Sequence, residues 1–127
     1  MIVVIVDDSL DVQKSLARLL GSIAGVSVTG FARDVAGALR LIDAKKPDVV
    51  VLDVNLLDGE QGIDVLEYVK REQPDSKVVT VSTATSPKVR ETYLAAGASA
   101  YFDKATEFMK ARDWIAALQP QTNRRNS

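Results

Sequence analysis

The sequence predicts an α/β domain: a five-stranded parallel, doubly wound sheet with five helices. Three observations predict it. Val/Ile-rich runs alternate with stretches of helical period along residues 2–118, and alternation at this spacing favours a parallel sheet covered by helices on both faces. The strongest runs are continuous in Val and Ile, which suits strands buried on both sides. The chain has 127 residues, 46% of them apolar, enough for one domain with a real core. Right-handed crossovers leave few arrangements. For five strands the common order is 2-1-3-4-5, with ligands bound at the strand carboxyl ends.

Each element follows from its local pattern. Ile2–Val6 is an unbroken Val/Ile run and reads as the first strand. Val12, Leu16, Leu19, Leu20 and Ile23 recur at three- and four-residue steps, the stripe of an amphipathic helix loosened by Gly21 and Gly25. Val26–Phe31 is a weaker second strand. Asp34–Lys45 is a second helix with Val35, Ala38, Leu39 and Ile42 inward, stopped by Pro47. Val49–Leu52 is the third strand, and Gly59 and Gly62 mark a loop. Ile63, Leu66 and Val69 begin a third helix that closes near Pro74, and Val78–Val81 is the fourth strand. Pro87 opens a fourth helix with Val89, Tyr93 and Leu94 on its inner side and Gly97 at its C-terminal end. Ala100–Phe102 is a short fifth strand. Phe108, Ile115 and Leu118 belong to the last helix, with Trp114 on its face. The domain is therefore expected over 1–118. Residues 119–127, with Pro120, Arg124 and Arg125, read as a disordered polar tail.

Composition removes whole classes of chemistry. Lys plus Arg number 16 and Asp plus Glu 17, a net charge of −1, whereas a dedicated nucleic-acid binder is markedly basic. The chain has no cysteine, which excludes disulfides, thiolate metal sites and Cys nucleophiles. It has no histidine, which excludes His ligands and Ser-His-Asp hydrolysis. No stretch reaches the roughly 18 apolar residues of a membrane helix. The apolar start lacks a basic leader and runs straight into two acids. The expectation is a cytoplasmic protein without direct contact to nucleic acid or membrane.

Chemistry must then rest on carboxylates, hydroxyls and lysines, and these gather at the strand carboxyl ends. The first strand ends in Asp7-Asp8 and the third in Asp53. In the expected order these strands are neighbours, so three acids converge and need a cation; Mg²⁺ prefers such hard oxygen ligands. Taken alone, Asp7 and Asp8 read equally well as caps of the first helix. The fourth strand ends in Ser82-Thr83, and Lys104 follows the fifth. Acids with a cation, a hydroxyl and a lysine make a phosphoryl-transfer set, in which one carboxylate is the nucleophile.

Four motifs carry a resemblance. They are Val6-Asp7-Asp8-Ser9, Val51-Leu52-Asp53-Val54-Asn55, Val79-Thr80-Val81-Ser82-Thr83-Ala84, and Gly97-Ala98-Ser99-Ala100-Tyr101-Phe102-Asp103-Lys104. In this order and at strand ends they resemble the receiver domain of two-component response regulators, a flavodoxin-like fold, over residues 2–118. The resemblance implies that Asp53 is the phosphoacceptor. It implies Asp8 as a direct Mg²⁺ ligand, Asp7 as a ligand through water, and the backbone carbonyl of Asn55 as a further ligand. Lys104 matches the phosphate-binding lysine and Ser82 the switch hydroxyl. Tyr101 matches the aromatic that moves inward when that hydroxyl engages phosphate, although the residues alone also allow a rim aromatic over the fifth strand. The implied partners are a sensor histidine kinase or histidine phosphotransfer protein, a downstream protein target, and a second copy bound through the fourth helix, fifth strand and fifth helix. Such a domain is a signalling module, catalysing only its own phosphorylation and slow dephosphorylation.

Three departures stand out. Ala105 follows Lys104 where the family usually has proline, so a trans peptide and a different loop path are expected, with Thr106 as a candidate helix cap. The stretch from Asp53 to Gly62 is one residue longer than the common pattern, which predicts a bulged loop. Ala84 stands where a larger or charged residue is frequent, a place where phosphoryl lifetime is tuned. Two alternatives remain at this level. One is a receiver fragment of a larger transcriptional regulator. The other is a Mg²⁺-dependent phosphohydrolase of similar fold, against which Asn55 stands where such an enzyme needs a second acid.

Overall fold

The computed structural model describes residues 1–118. The tail expected over 119–127 lies outside the described residues. The elements run β1 (Ile2–Val6), α1 (Leu10–Gly21), β2 (Ser27–Ala32), α2 (Val35–Lys45), β3 (Val49–Leu52), α3 (Gly62–Glu72), β4 (Lys77–Ser82), α4 (Pro87–Ala95), β5 (Ala100–Asp103) and α5 (Phe108–Ala116). All strand pairs are parallel and the order is β2-β1-β3-β4-β5, as expected.

The pleat divides the strand residues between two cores. Val4, Val6, Val50, Leu52 and Val78 join Ala38 and Ile42 of α2 and Val65, Leu66 and Val69 of α3 on one face. Val3, Ile5, Val49, Val51, Val79 and Val81 join Leu16 and Leu20 of α1 and Ala111 and Ile115 of α5 on the other. Both faces are covered, which explains why these strands are unbroken Val/Ile runs. Burial of each such side chain is worth about 1.5–3 kcal/mol, so β1 and β3 are the best-anchored strands. Trp114 and Phe108 lie partly buried against the second core, as packing residues.

Helix starts are set locally. Ser9 caps α1, its Oγ accepting from the Val12 amide at 3.3 Å, and Asp34 caps α2, its Oδ1 accepting from Gly37 N at 2.8 Å. Pro87 occupies the first turn of α4, and Gly97 follows that helix at φ +116°, a conformation side chains rarely adopt. No helix among the described residues is long and apolar enough to cross a membrane.

Three local expectations are corrected. Leu94 is 37% exposed, because Val89, Tyr93 and Ala96 occupy the inner face of α4 at four- and three-residue steps and Leu94 falls one step round the helix. Leu39 of α2 is only half-buried, since Ala38 and Ile42 take the contacts with the sheet. Thr106 does not cap α5. The cap position is Glu107, whose side chain turns back so that Oε1 accepts from Asp103 N at 2.9 Å, while Asp103 Oδ1 accepts from Ala105 N at 2.8 Å. Two carboxylates therefore shape the loop after Lys104, and the peptide bond before Ala105 is trans, as expected.

Candidate functional site

Strand register builds the site. Val6 pairs with Leu52 across β1 and β3, and Asp53 N donates to Val6 O at 2.9 Å. The next residues, Asp7 and Asp53, thus leave the sheet side by side. At the other end of the sheet, Ser82 pairs with Asp103 and Lys104 N donates to Ser82 O at 2.9 Å, which aims the lysine back along the sheet edge. Lys104 Nζ donates to Asp7 Oδ2 at 2.8 Å and to Asp53 Oδ2 at 2.9 Å. The second oxygen of each acid is held by a main-chain amide. Ser9 N donates to Asp7 Oδ1 at 2.9 Å, and Val54 N donates to Asp53 Oδ1 at 2.7 Å. Asp7 and Asp8 are not helix caps, because Ser9 takes that role and leaves both acids at the strand end.

Carboxylate oxygens of Asp7, Asp8 and Asp53 all lie within 4.8 Å of one another. Asp7 and Asp53 are buried and Asp8 is half-exposed, so the cluster opens to solvent on the Asp8 side. Burial pushes the Asp7 carboxyl above the ordinary aspartate value, and the hydrogen bonds from Lys104 and Ser9 do not cancel that push. Burial pulls Lys104 down, but the hydrogen bonds and charges of Asp7 and Asp53 together outweigh it and lift its pKa above the ordinary lysine value. Lys104 is therefore a cation at neutral pH. Three acids against one lysine leave excess negative charge in a small, hard-oxygen pocket. That donor set fits Mg²⁺.

Ser82 and Tyr101 lie farther along the edge. Ser82 is fully buried, and its Oγ accepts from Ala84 N at 3.1 Å. The Tyr101 hydroxyl donates to the carbonyl of the same residue, Ala84. Tyr101 is buried, with Tyr93 edge-on at a ring separation of 6.1 Å. It is not a rim aromatic.

The β3–α3 loop closes the other side. Leu57–Gly59 form a tight turn in which Asp58 takes φ 58°, in the left-handed region. Asn55 is exposed, bridges to Gln61, and its Oδ1 accepts from Gln61 Nε2 at 3.4 Å. Glu60 Oε1 accepts from Val35 N at 2.7 Å, and Leu57 N donates to Arg33 O at 3.0 Å, which ties this loop to the β2–α2 turn. Arg33 in turn donates from Nε to the main-chain oxygen of Asp8 at 3.0 Å. Gly62 presses on Asp53: a Cβ there would collide with the Asp53 main-chain oxygen. Sequence reasoning did not single out Arg33 or Glu107. Neither lies in a recognisable motif, and Arg33 meets Asp8 only across a 25-residue separation.

Comparison with known proteins agrees with this architecture. A family model described as "Response regulator receiver domain" matches residues 3–116. The chain is 36% identical over 108 residues to the DNA-binding transcriptional activator DevR/DosR of Mycobacterium tuberculosis, covering 85% of this chain and 49% of that protein. It is 35% identical over 102 residues to the response regulator GacA of Pseudomonas aeruginosa, covering 80% of this chain and 47% of that one. The chain thus spans about half the length of these curated relatives. Among solved structures, the signal receiver domain of the putative response regulator NarL from Mycobacterium tuberculosis superposes with a TM-score of 0.83 at 28% identity, covering 92% of this chain and 94% of that one. The response regulator domain of CheB from Thermotoga maritima has a TM-score of 0.81 at 24% identity, covering 95% and 94%, and shares the fold.

Proposed function

Because the chain belongs to the response regulator receiver domain family, we propose that Asp53 accepts a phosphoryl group from a sensor histidine kinase or a histidine phosphotransfer protein. The observation that carries this reading is the pairing of Lys104 with both Asp7 and Asp53, beside three carboxylates close enough to share one ion. In the proposed reaction an Asp53 oxygen attacks phosphorus in line. The new O–P bond forms as the P–N bond of the donor's phosphohistidine breaks, and the donor imidazole leaves. Lys104 compensates charge on the phosphoryl oxygens. Val54 N and Lys104 keep the Asp53 carboxylate from rotating before attack.

Asp7, Asp8, Asp53 and the main-chain carbonyl of Asn55 would hold Mg²⁺, which when bound supplies Lewis-acid stabilisation of the phosphoryl charge. After transfer, the Ser82 hydroxyl donates to a phosphoryl oxygen and releases the Ala84 amide. The β4–α4 loop then repacks, and the α4–β5–α5 surface shifts its population toward a form that binds a downstream protein or a second copy. The reading carries a cytoplasmic location with it.

The test is direct. On incubation with Mg²⁺ and acetyl phosphate, intact mass rises by one phosphoryl group. Asp53→Asn abolishes the gain. A wild-type protein that gains nothing, or an Asp53→Asn protein that still gains, overturns the proposal.

A further inference from the structure

Tyr101 sits inward, held by contacts from the β4–α4 loop and from α4. The ring is 4% exposed. The Arg90 guanidinium carbon lies 5.7 Å from the Tyr101 ring centroid, and Arg90 Nη1 donates to the main-chain oxygen of Tyr101 at 2.9 Å. Tyr93, three residues further along α4, meets the ring edge-on. Residues three apart share a helix face, so α4 presents both groups to β5 together. The Tyr101 hydroxyl is taken by Ala84 O in the β4–α4 loop. Beside the ring lies a cavity of about 230 Å³ lined by Thr85, Arg90, Tyr101, Asp103, Thr106 and Glu107. The ring therefore has space to enter if it leaves its pocket, and Arg90 stands on the wall of that space.

We propose that Arg90 is a positioning residue that latches Tyr101 inward, through a guanidinium that lies over the ring at cation–π distance and bonds to the Tyr101 carbonyl. The chemistry is specific to arginine. A planar guanidinium can lie over an aromatic face while a peripheral N–H donates in its own plane; an ammonium is a compact point charge that does not reproduce both contacts. Only the consequence for output rests on the proposed function. If α4–β5–α5 is the signalling surface, then Arg90 biases it toward the form in which Tyr101 is seated.

Tyrosine nitration by tetranitromethane tests the latch on the full chain, without Mg²⁺ or phosphodonor, with peptide mapping by mass spectrometry. Tyr68, on α3, serves as the internal reference. In the wild type Tyr101 is nitrated much more slowly than Tyr68. Arg90→Ala raises Tyr101 nitration several-fold and leaves Tyr68 unchanged. Arg90→Lys, which keeps the charge, also raises Tyr101 nitration, and it decides the matter if the alanine variant loses its native circular dichroism. Asp53→Asn leaves Tyr101 protected. Equal Tyr101 nitration in wild type and folded Arg90 variants overturns the latch, as does exposure of Tyr101 by Asp53→Asn. Because no phosphodonor is present, this outcome is independent of the mass gain with acetyl phosphate, so failure of the latch and failure of the phosphoacceptor reading are separately visible.

Discussion

Lys104 and Asp7 stand 97 residues apart in the chain and 2.8 Å apart in the fold, with Asp53 completing the contact at 2.9 Å. Their side chains are 14%, 3% and 8% exposed for Lys104, Asp7 and Asp53. Removing one partner of such a buried set leaves uncompensated charge and costs about 3–5 kcal/mol. Lys104→Met is accordingly expected to lower stability by about 3 kcal/mol in metal-free buffer, measured by urea unfolding. Adding Asp7→Asn to that variant restores part of the loss, because it removes repulsion with Asp53. A Lys104→Met protein as stable as the wild type contradicts the charge argument.

The same excess of negative charge predicts a stability that depends on Mg²⁺. A cation that binds only the folded state stabilises it by about 2.7 kcal/mol at a hundredfold excess over its dissociation constant. Mg²⁺ is expected to raise the urea midpoint of the wild type and to leave that of Asp8→Asn nearly unmoved. An identical rise in both proteins places the ion elsewhere.

Gly62 is constrained by space. Its φ is not in the left-handed region, but an added Cβ collides with the Asp53 main-chain oxygen and comes within 3.3 Å of Leu52 Cδ1. Overpacking of this kind costs about 1–3 kcal/mol, and relief requires moving Asp53 or the start of α3. Gly62→Ala is expected to lose stability in urea and to slow the mass gain with acetyl phosphate. Gly59→Ala, with open space around it but φ at +79°, loses stability alone.

The three tyrosines report on burial at alkaline pH. Burial raises Tyr93 to about 12, with the charges of Tyr101, Asp53 and Asp64 adding to it. The Ile63 amide pulls it partly back, more than any one of those charges pushes it up, yet no well-formed hydrogen bond reaches the buried hydroxyl. Burial also raises Tyr101, and the hydrogen bond to Asp43 raises Tyr68. An unfolded tyrosine titrates near ~10. The folded state thus holds Tyr93 neutral, and the stability this represents is complete below the unfolded pKa and is lost as pH climbs toward 12. In a spectroscopic titration of the phenolate band, Tyr93→Phe should remove the last component. It should also flatten the alkaline loss of stability, at no cost near neutral pH. Persistence of that last component in Tyr93→Phe assigns it to another tyrosine.

The strands and their acidic ends were legible because their signals are local. Ile2–Val6 and Val49–Leu52 are continuous apolar runs, and Asp7, Asp8 and Asp53 follow them directly. Helix faces were legible only where the stripe was unambiguous. Val89 and Tyr93 on α4 follow the inward stripe and Leu94 does not, since a nine-residue helix shows too few repeats to choose between adjacent apolar positions. Thr106 looked like a cap by type. Glu107 won because its longer side chain reaches Asp103 N and shapes the turn that Ala105 leaves without a proline.

The amino-acid order by itself therefore determined the element sequence, the parallel class of the sheet and the inventory of acids, hydroxyl and lysine at the strand ends. Hydrophobic period and charge position are properties of neighbouring residues and need no fold to be read. Only the tertiary structure decided which oxygens Lys104 joins, that Ser82 and Tyr101 grip the same residue from its two polar groups, and that Arg90 lies over the Tyr101 ring. Those are distances between groups brought together by strand register and side-chain rotamer, and they come into existence only when the two cores close on the sheet.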